Sequence, residues 1–281
     1  MNNFEHCAVL VREADRDRYL ATLFAPAEHR DALFALYAFN VEIVRVRDLA
    51  REPMPGEIRL QWWREALSGE RDGEAAAHPV AAALQETLAR YGLAADRLIA
   101  LIDAHVFDLY DEPMATVTDL EIYGIKTQSA LFAMAVEILG GQGGGTELLA
   151  VDAGIAYGIT RVLENFARYS ARQQLYVPLD VLKRHGIDRN AVFAGQGGPL
   201  LSAALAETRA LARKHLAAAQ ARLGAEADIL PALLPVALAG PTLQRMDRSG
   251  YDPLHFTPLA PWRRQWLLWR AARDPSRIFS R

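Results

Sequence analysis

The feature that most limits how this 281-residue chain can fold is a helical period that recurs along almost its whole length. Over residues 28–50, Leu33, Leu36, Tyr37, Val41 and Val44 fall at three- and four-residue steps and build one apolar stripe. Pro53, Pro55 and Gly56 interrupt it, and a second amphipathic run carries Ile58, Trp62, Trp63 and Leu67. Residues 68–77 are polar and read as a loop, and Pro79 sits where helices commonly begin. Further helices are predicted over 79–91, 95–111, 117–139, 146–172, 199–223 and 227–246. Glycine clusters at 140–145 and 195–198 mark loops between them. No alternating stretch is long enough for a sheet, and no internal repeat is present. Alanine is abundant while β-branched runs are rare. The reading is an all-α protein with one domain spanning 1–281.

Composition excludes several partners. The net charge is −3 and no basic stripe is interleaved with aromatics, so nucleic acid is not expected. Cys7 is the single cysteine, which rules out an internal disulfide and fits a reducing compartment. Residues 1–20 lack a basic region followed by an apolar one, and no run approaches the roughly 18 apolar residues of a membrane span. A cytoplasmic, soluble protein is expected. The seven histidines show no metal-ligand spacing. The cluster 140–145 lacks the G-x-x-x-x-G-K-[ST] pattern and follows a helix, so it reads as a turn and not a phosphate loop.

More specific are six segments in a fixed order: YLATLFAPAEHRDALFALYAF (19–39), QWWREAL (61–67), HPVAAAL (78–84), DLEIYGIKTQSALFAMAVEIL (119–139), LYVPLDVLKRHGI (175–187) and LQRMDRSGYDP (243–253). Together they resemble the squalene and phytoene synthases, which join prenyl diphosphates head to head. The resemblance implies an isoprenoid-synthase-type helical bundle around a central pocket. It also implies that stretches 33–48 and 154–178 correspond to the two catalytic helices. In that family, aspartates four residues apart share a helix face and hold Mg²⁺ against the diphosphate.

Most of those acids are replaced here. The family pattern C-R-x-x-D-D-x-x-D falls on residues 40–48, with Val44 and Arg45 at the leading aspartates and Asp48 retained. The pattern Q-L-T-N-I-L-R-D-x-x-E-D falls on 158–169, where Asn165 and Tyr169 replace aspartates and Arg168 replaces the glutamate. Glu42 precedes Asp48 by about 600° of helix, and Glu164 is rotated about 100° from the lost aspartate, so neither restores a pair. Asp48 is therefore the one candidate metal ligand. Arg45, Arg161 and Arg168 add positive charge, and arginines can hold a phosphate without metal. With Asn165, Tyr169, Tyr37 and Tyr176 they form the candidate anion-binding set.

Plainer readings stand beside these. Asp48 could pair with Arg45 and Arg47, and Arg161 and Arg168 with Glu164. Tyr37, Phe39, Trp62 and Trp63 could be core. Asp103, His105, Asp108 and Asp111 read as charge on a helix surface, although Asp108 falls where the family has an acid near its pocket. The resemblance leaves two functions open. One is a non-catalytic prenyl- or lipid-binding scaffold, because the phrase at 38–48 is similar to a degenerate-aspartate branch that includes a respiratory complex I assembly factor. That reading needs no cofactor and implies a protein partner. The other is an active prenyltransferase, which would need Mg²⁺ and give a squalene- or phytoene-type product. Finally, PWRRQWLLWRAA (261–272) could lie peripherally on the inner membrane face or pack its tryptophans on the core.

Overall fold

The computed structural model describes residues 2–50, 52–196, 198–224 and 227–279, and every regular element among them is helical. In chain order the helices begin with α1 (Asn3–Ala14), α2 (Arg16–Thr22), α3 (Ala27–Leu49), α4 (Pro53–Leu67), α5 (Asp72–Ala77), α6 (Pro79–Tyr91) and α7 (Ala95–His105). Next come α8 (Val117–Gly124), α9 (Ala130–Ile138), α10 (Gly144–Glu164), α11 (Phe166–Ala171), α12 (Leu179–Arg184) and α13 (Arg189–Phe193). The chain closes with α14 (Gly198–Arg222), α15 (Leu230–Leu233), α16 (Ala239–Met246) and α17 (Pro261–Arg273).

Two helices form the centre. Residues 32–41 of α3 are buried on every face, more than the single stripe expected, because α1 and α6 cover one side and α4 and α9 the others. In α10, residues 149–163 are buried or half-buried against α14, α8 and α9. The approach is closest at Gly154, where a Cβ would lie 2.3 Å from the Cα and Oγ of Ser129. Ser129 closes a π-helical turn, Ile125–Ser129, that joins α8 to α9 inside the predicted 117–139 helix. The wider turn pushes its backbone toward α10, and the Ser129 hydroxyl donates to the Val151 carbonyl at 2.8 Å.

Other boundaries differ from the sequence reading for local reasons. The 146–172 helix breaks at Asn165, whose side-chain amide donates to the Arg161 carbonyl at 2.8 Å and competes with the ladder. The 95–111 helix tightens into a 3₁₀ turn, Val106–Leu109, and ends there. Three prolines divide 227–246 into 3₁₀ turns around α15 and α16. The 68–77 loop contains α5, with Asp72 and Glu74 complementing its N-terminal dipole and Ala75 buried. The N-terminal α1 is announced by a capping box: Asn2 accepts from the Glu5 amide at 2.7 Å and Glu5 accepts from the Asn2 amide at 2.8 Å.

Candidate functional site

A cavity of about 280 Å³ opens between α3 and α10. Asn40, Val41, Val44, Arg45 and Asp48 reach it from one face of α3, at three- and four-residue steps. Tyr157, Arg161, Val162 and Asn165 reach it from α10, and Arg168 and Tyr169 from α11. The two stretches that resemble the family's catalytic helices thus face each other.

At its rim the retained acid is fully engaged. Arg168 Nη2 reaches both Asp48 oxygens, at 2.8 and 2.7 Å, and Arg172 Nη1 reaches Oδ1 at 2.5 Å. Asp48 therefore pairs across the cavity and not with Arg45 or Arg47 on its own helix; Arg47 instead meets Asp111 at 3.5 Å. Arg168 does not pair with Glu164, because the break at Asn165 turns α11 away from the α10 axis. Arg161 does, at 2.5 Å. Glu164 also accepts from Arg264 of α17 at 2.9 Å, and Arg264 is held in turn by Asp17. Arg45 lines the mouth without an ion-pair partner among the described residues.

Deeper in, the cavity wall contains residues that the sequence reading missed or misplaced. Arg18, 3% exposed, bonds Asp15 at 2.9 Å and Gln128 at 2.7 Å. Its guanidinium carbon lies 5.3 Å from the rings of Tyr37 and Tyr157 and 5.7 Å from that of Phe132. Burial would lower the arginine's proton affinity, and its surroundings, the Asp15 carboxylate first and then Tyr157 and Tyr37, together outweigh that and raise it. Burial pushes the Tyr157 hydroxyl up to about 12, so it stays neutral. Asp15 standing three residues before Arg18, as the N-cap of α2, was the available signal.

The second group is His105, Asp108, Tyr123 and Tyr176. Asp108 is not surface charge: it accepts from His105 at 2.6 Å, Tyr176 at 2.6 Å and Tyr123 at 2.9 Å. The turn Val106–Leu109 bends it inward, which a straight helix over 95–111 would not do. Asp103 and Asp111 do lie outside, on Arg64 and Arg47.

Of the anion-binding candidates, Arg45, Arg161, Arg168, Asn165, Tyr169 and Tyr176 line the cavity. Tyr37 does not; it lies beneath Arg18, inside the core. Phe39 and Trp63 are core as well, edge to face at 5.2 Å, while half-buried Trp62 donates to Glu74. The donor set does not fit a Mg²⁺ cluster, since Asp48 is bound by two guanidiniums, Glu164 by two more, and Asp108 by His105, Tyr123 and Tyr176. Among the described residues, no group of three His, Cys, Asp or Glu side chains is arranged to hold a metal.

A separate surface lies on α17. Leu268 and Ala271 pack inward and Arg264 reaches Asp17 and Glu164, whereas Trp262 is 70% exposed and Trp266 and Trp269 nearly half. The tryptophans therefore do not pack on the core. Arg270 stacks on Trp266 at 4.3 Å and Arg273 on Trp269 at 4.2 Å. Among the described residues, no helix is long and apolar enough to cross a membrane.

Comparison with known proteins agrees with the architecture. The squalene/phytoene synthase family model matches residues 11–270. Rat NADH dehydrogenase (ubiquinone) complex I assembly factor 6 is 30% identical over 253 residues, covering 89% of this chain and 75% of the relative. Phytoene synthase of Thermus thermophilus is 29% identical over 273 residues, covering 92% and 90%. A solved dehydrosqualene synthase superposes with a TM-score of 0.78 over 96% of this chain and 95% of its own, at 17% identity, a likeness of fold. With that span matched and its two facing helices in place, the chain belongs to the squalene/phytoene synthase family.

Proposed function

We propose that this protein is a non-catalytic member of its family, a helical scaffold whose pocket takes an anionic amphiphile and whose surface serves a protein partner in respiratory-complex assembly. The observation that carries the reading is the Asp48–Arg168–Arg172 lock. Ionising an allylic diphosphate calls for metal ions held on opposed carboxylates, and here the one retained acid is neutralised by arginine. Arg45, with no ion-pair partner among the described residues, and Arg161, which shares Glu164 with Arg264, offer fixed charges suited to gripping a phosphate and poorly suited to expelling one. The cavity, about 280 Å³, falls just below the roughly 300–1,000 Å³ usual for one small ligand. Two prenyl diphosphates would need more. The assembly role draws support from the identity to rat assembly factor 6. In this reading the protein is cytoplasmic and rests on the inner membrane face through the tryptophans of α17, which are suited to a bilayer interface.

The alternative, a prenyltransferase condensing two prenyl diphosphates with Mg²⁺, is favoured by the 29% identity to phytoene synthase. Incubating the purified protein with radiolabelled farnesyl and geranylgeranyl diphosphate, with and without Mg²⁺, separates the two. No hydrocarbon product is expected. Product that requires Mg²⁺ and vanishes in Asp48→Ala would overturn the scaffold reading.

A further inference from the structure

A pocket meant only for phosphate needs hydrogen-bond donors, and part of this one offers the opposite. His105 lines the cavity and is 5% exposed. Its Nδ1 lies 2.6 Å from an Asp108 oxygen that also accepts from Tyr123 at 3.1 Å, while Tyr176 and Tyr123 donate to the other oxygen. Burial, and then the Asp108 charge, push both phenols well above their usual range, so they remain donors. The carboxylate is acceptor-only, and His105 must present its Nδ1–H to it. In the uncharged ring this leaves a lone pair on Nε2, an atom that is buried without a hydrogen-bond partner. The Asn40 side-chain oxygen is likewise buried, cavity-lining and unpartnered. Buried acceptors left unfilled are costly. An ionised diphosphate brings acceptors only and fills neither.

We infer that the ligand of this pocket combines a phosphate with free hydroxyl groups: it is a phosphoester of a polyhydroxy alcohol, of which glycerol phosphate is the simplest. Its hydroxyls donate to His105 Nε2 and Asn40 Oδ1, and its phosphate meets Arg45 and Arg161 at the mouth. The inference rests on the anion-binding pocket proposed above and departs from a bare prenyl diphosphate. The same chemistry occurs in soluble sugar-alcohol phosphates and in phospholipid head groups.

Titration calorimetry at fixed ionic strength tests it with three probes: sn-glycerol 3-phosphate, propyl phosphate, which lacks the hydroxyls, and pyrophosphate. Glycerol 3-phosphate is expected to bind about tenfold more tightly than the other two, the worth of one or two added hydrogen bonds. His105→Met, an apolar replacement, is expected to bring glycerol and propyl phosphate together. The wild-type comparison stands by itself should that variant fail to fold. Equal binding of glycerol and propyl phosphate, or pyrophosphate binding as tightly, overturns the hydroxyl inference and leaves the anionic pocket standing. Binding of none of the three overturns both. A short-chain phosphatidylglycerol below its micelle concentration identifies the source. Tighter binding than glycerol 3-phosphate assigns a lipid head group, and equal binding assigns the soluble ester.

Discussion

Replacing Glu164 by glutamine is expected to lower the unfolding temperature by about 4 °C, a figure that follows from burial and partner count. The Glu164 side chain is 4% exposed and holds Arg161 at 2.5 Å and Arg264 at 2.9 Å. Removing one partner of a buried ion pair typically costs about 3–5 kcal/mol, because the other charge is left uncompensated. Two facts reduce that here. Arg264 keeps Asp17, and the Arg161 side chain is 42% exposed, so water receives its charge. About 2 kcal/mol remains. A domain of this size shifts by about 2 °C per kcal/mol, the lower end of the usual range. Thermal unfolding followed by circular dichroism reads the change, and Asp48→Asn is the internal control. Asp48 is 37% exposed and its arginines similarly so. Such pairs contribute about 0–1 kcal/mol each, and the expected shift is below that of Glu164→Gln. Equal shifts in the two variants would refute the weighting by burial. A double-mutant cycle of Glu164→Gln with Arg264→Met showing no coupling would refute the network itself.

Asp48 carries a pH signature. Burial would raise its carboxyl, but the hydrogen bonds and charges of Arg172 and Arg168 outweigh that and hold it below its usual 3.8. Its contribution is therefore complete above that value and lost as pH falls through the lowered pKa. Urea midpoints of wild type and Asp48→Asn should differ at about pH 6, draw together as pH falls below 3.8 and converge only beneath the lowered pKa. Changing Trp262, Trp266 and Trp269 together to serine should abolish flotation with phosphatidylglycerol-containing vesicles at unchanged helicity; flotation that persists rejects the membrane-facing role of α17. Deleting 258–281 is the poorer test, because it also removes buried Leu268, Ala271, Ile278 and Phe279. Gly154→Ala should cost about 3 kcal/mol or more in urea unfolding, since its methyl meets Ser129 backbone. A cost under about 1 kcal/mol would mean that α10 and the π turn separate freely.

The helical architecture was legible because burial of one or more helix faces writes itself into spacing, as it does over 28–50 and 79–91. The site was legible only along each helix. Periodicity places Val41, Arg45 and Asp48 on one face, but it does not say which arginine 120 residues away meets Asp48. That pairing depends on the turn at Asn165, a single side chain bonding its own backbone. Asp108 was misread for a similar reason: a helix continued to 111 leaves it outside, and the 3₁₀ turn swings it in. Arg18 left almost no trace, since a buried arginine and a surface one look alike until the rings around them are known.

The replaced positions make sense as a set more than singly. Opposed helices bearing only carboxylates repel one another unless cations lie between them, so in such a site the metal also holds the helices together. Here α3 offers one acid, and α11 and the residue after it offer two arginines that reach it across the gap. The interface is self-neutralising, and its closure needs nothing from solution. Restoring a single aspartate at position 44 or 165 would not recreate a metal site, because Arg168 and Arg172 would still claim Asp48 and any new acid would sit among Arg45 and Arg161. A Mg²⁺ site between these two helices would require removing arginines and adding acids on both helices together.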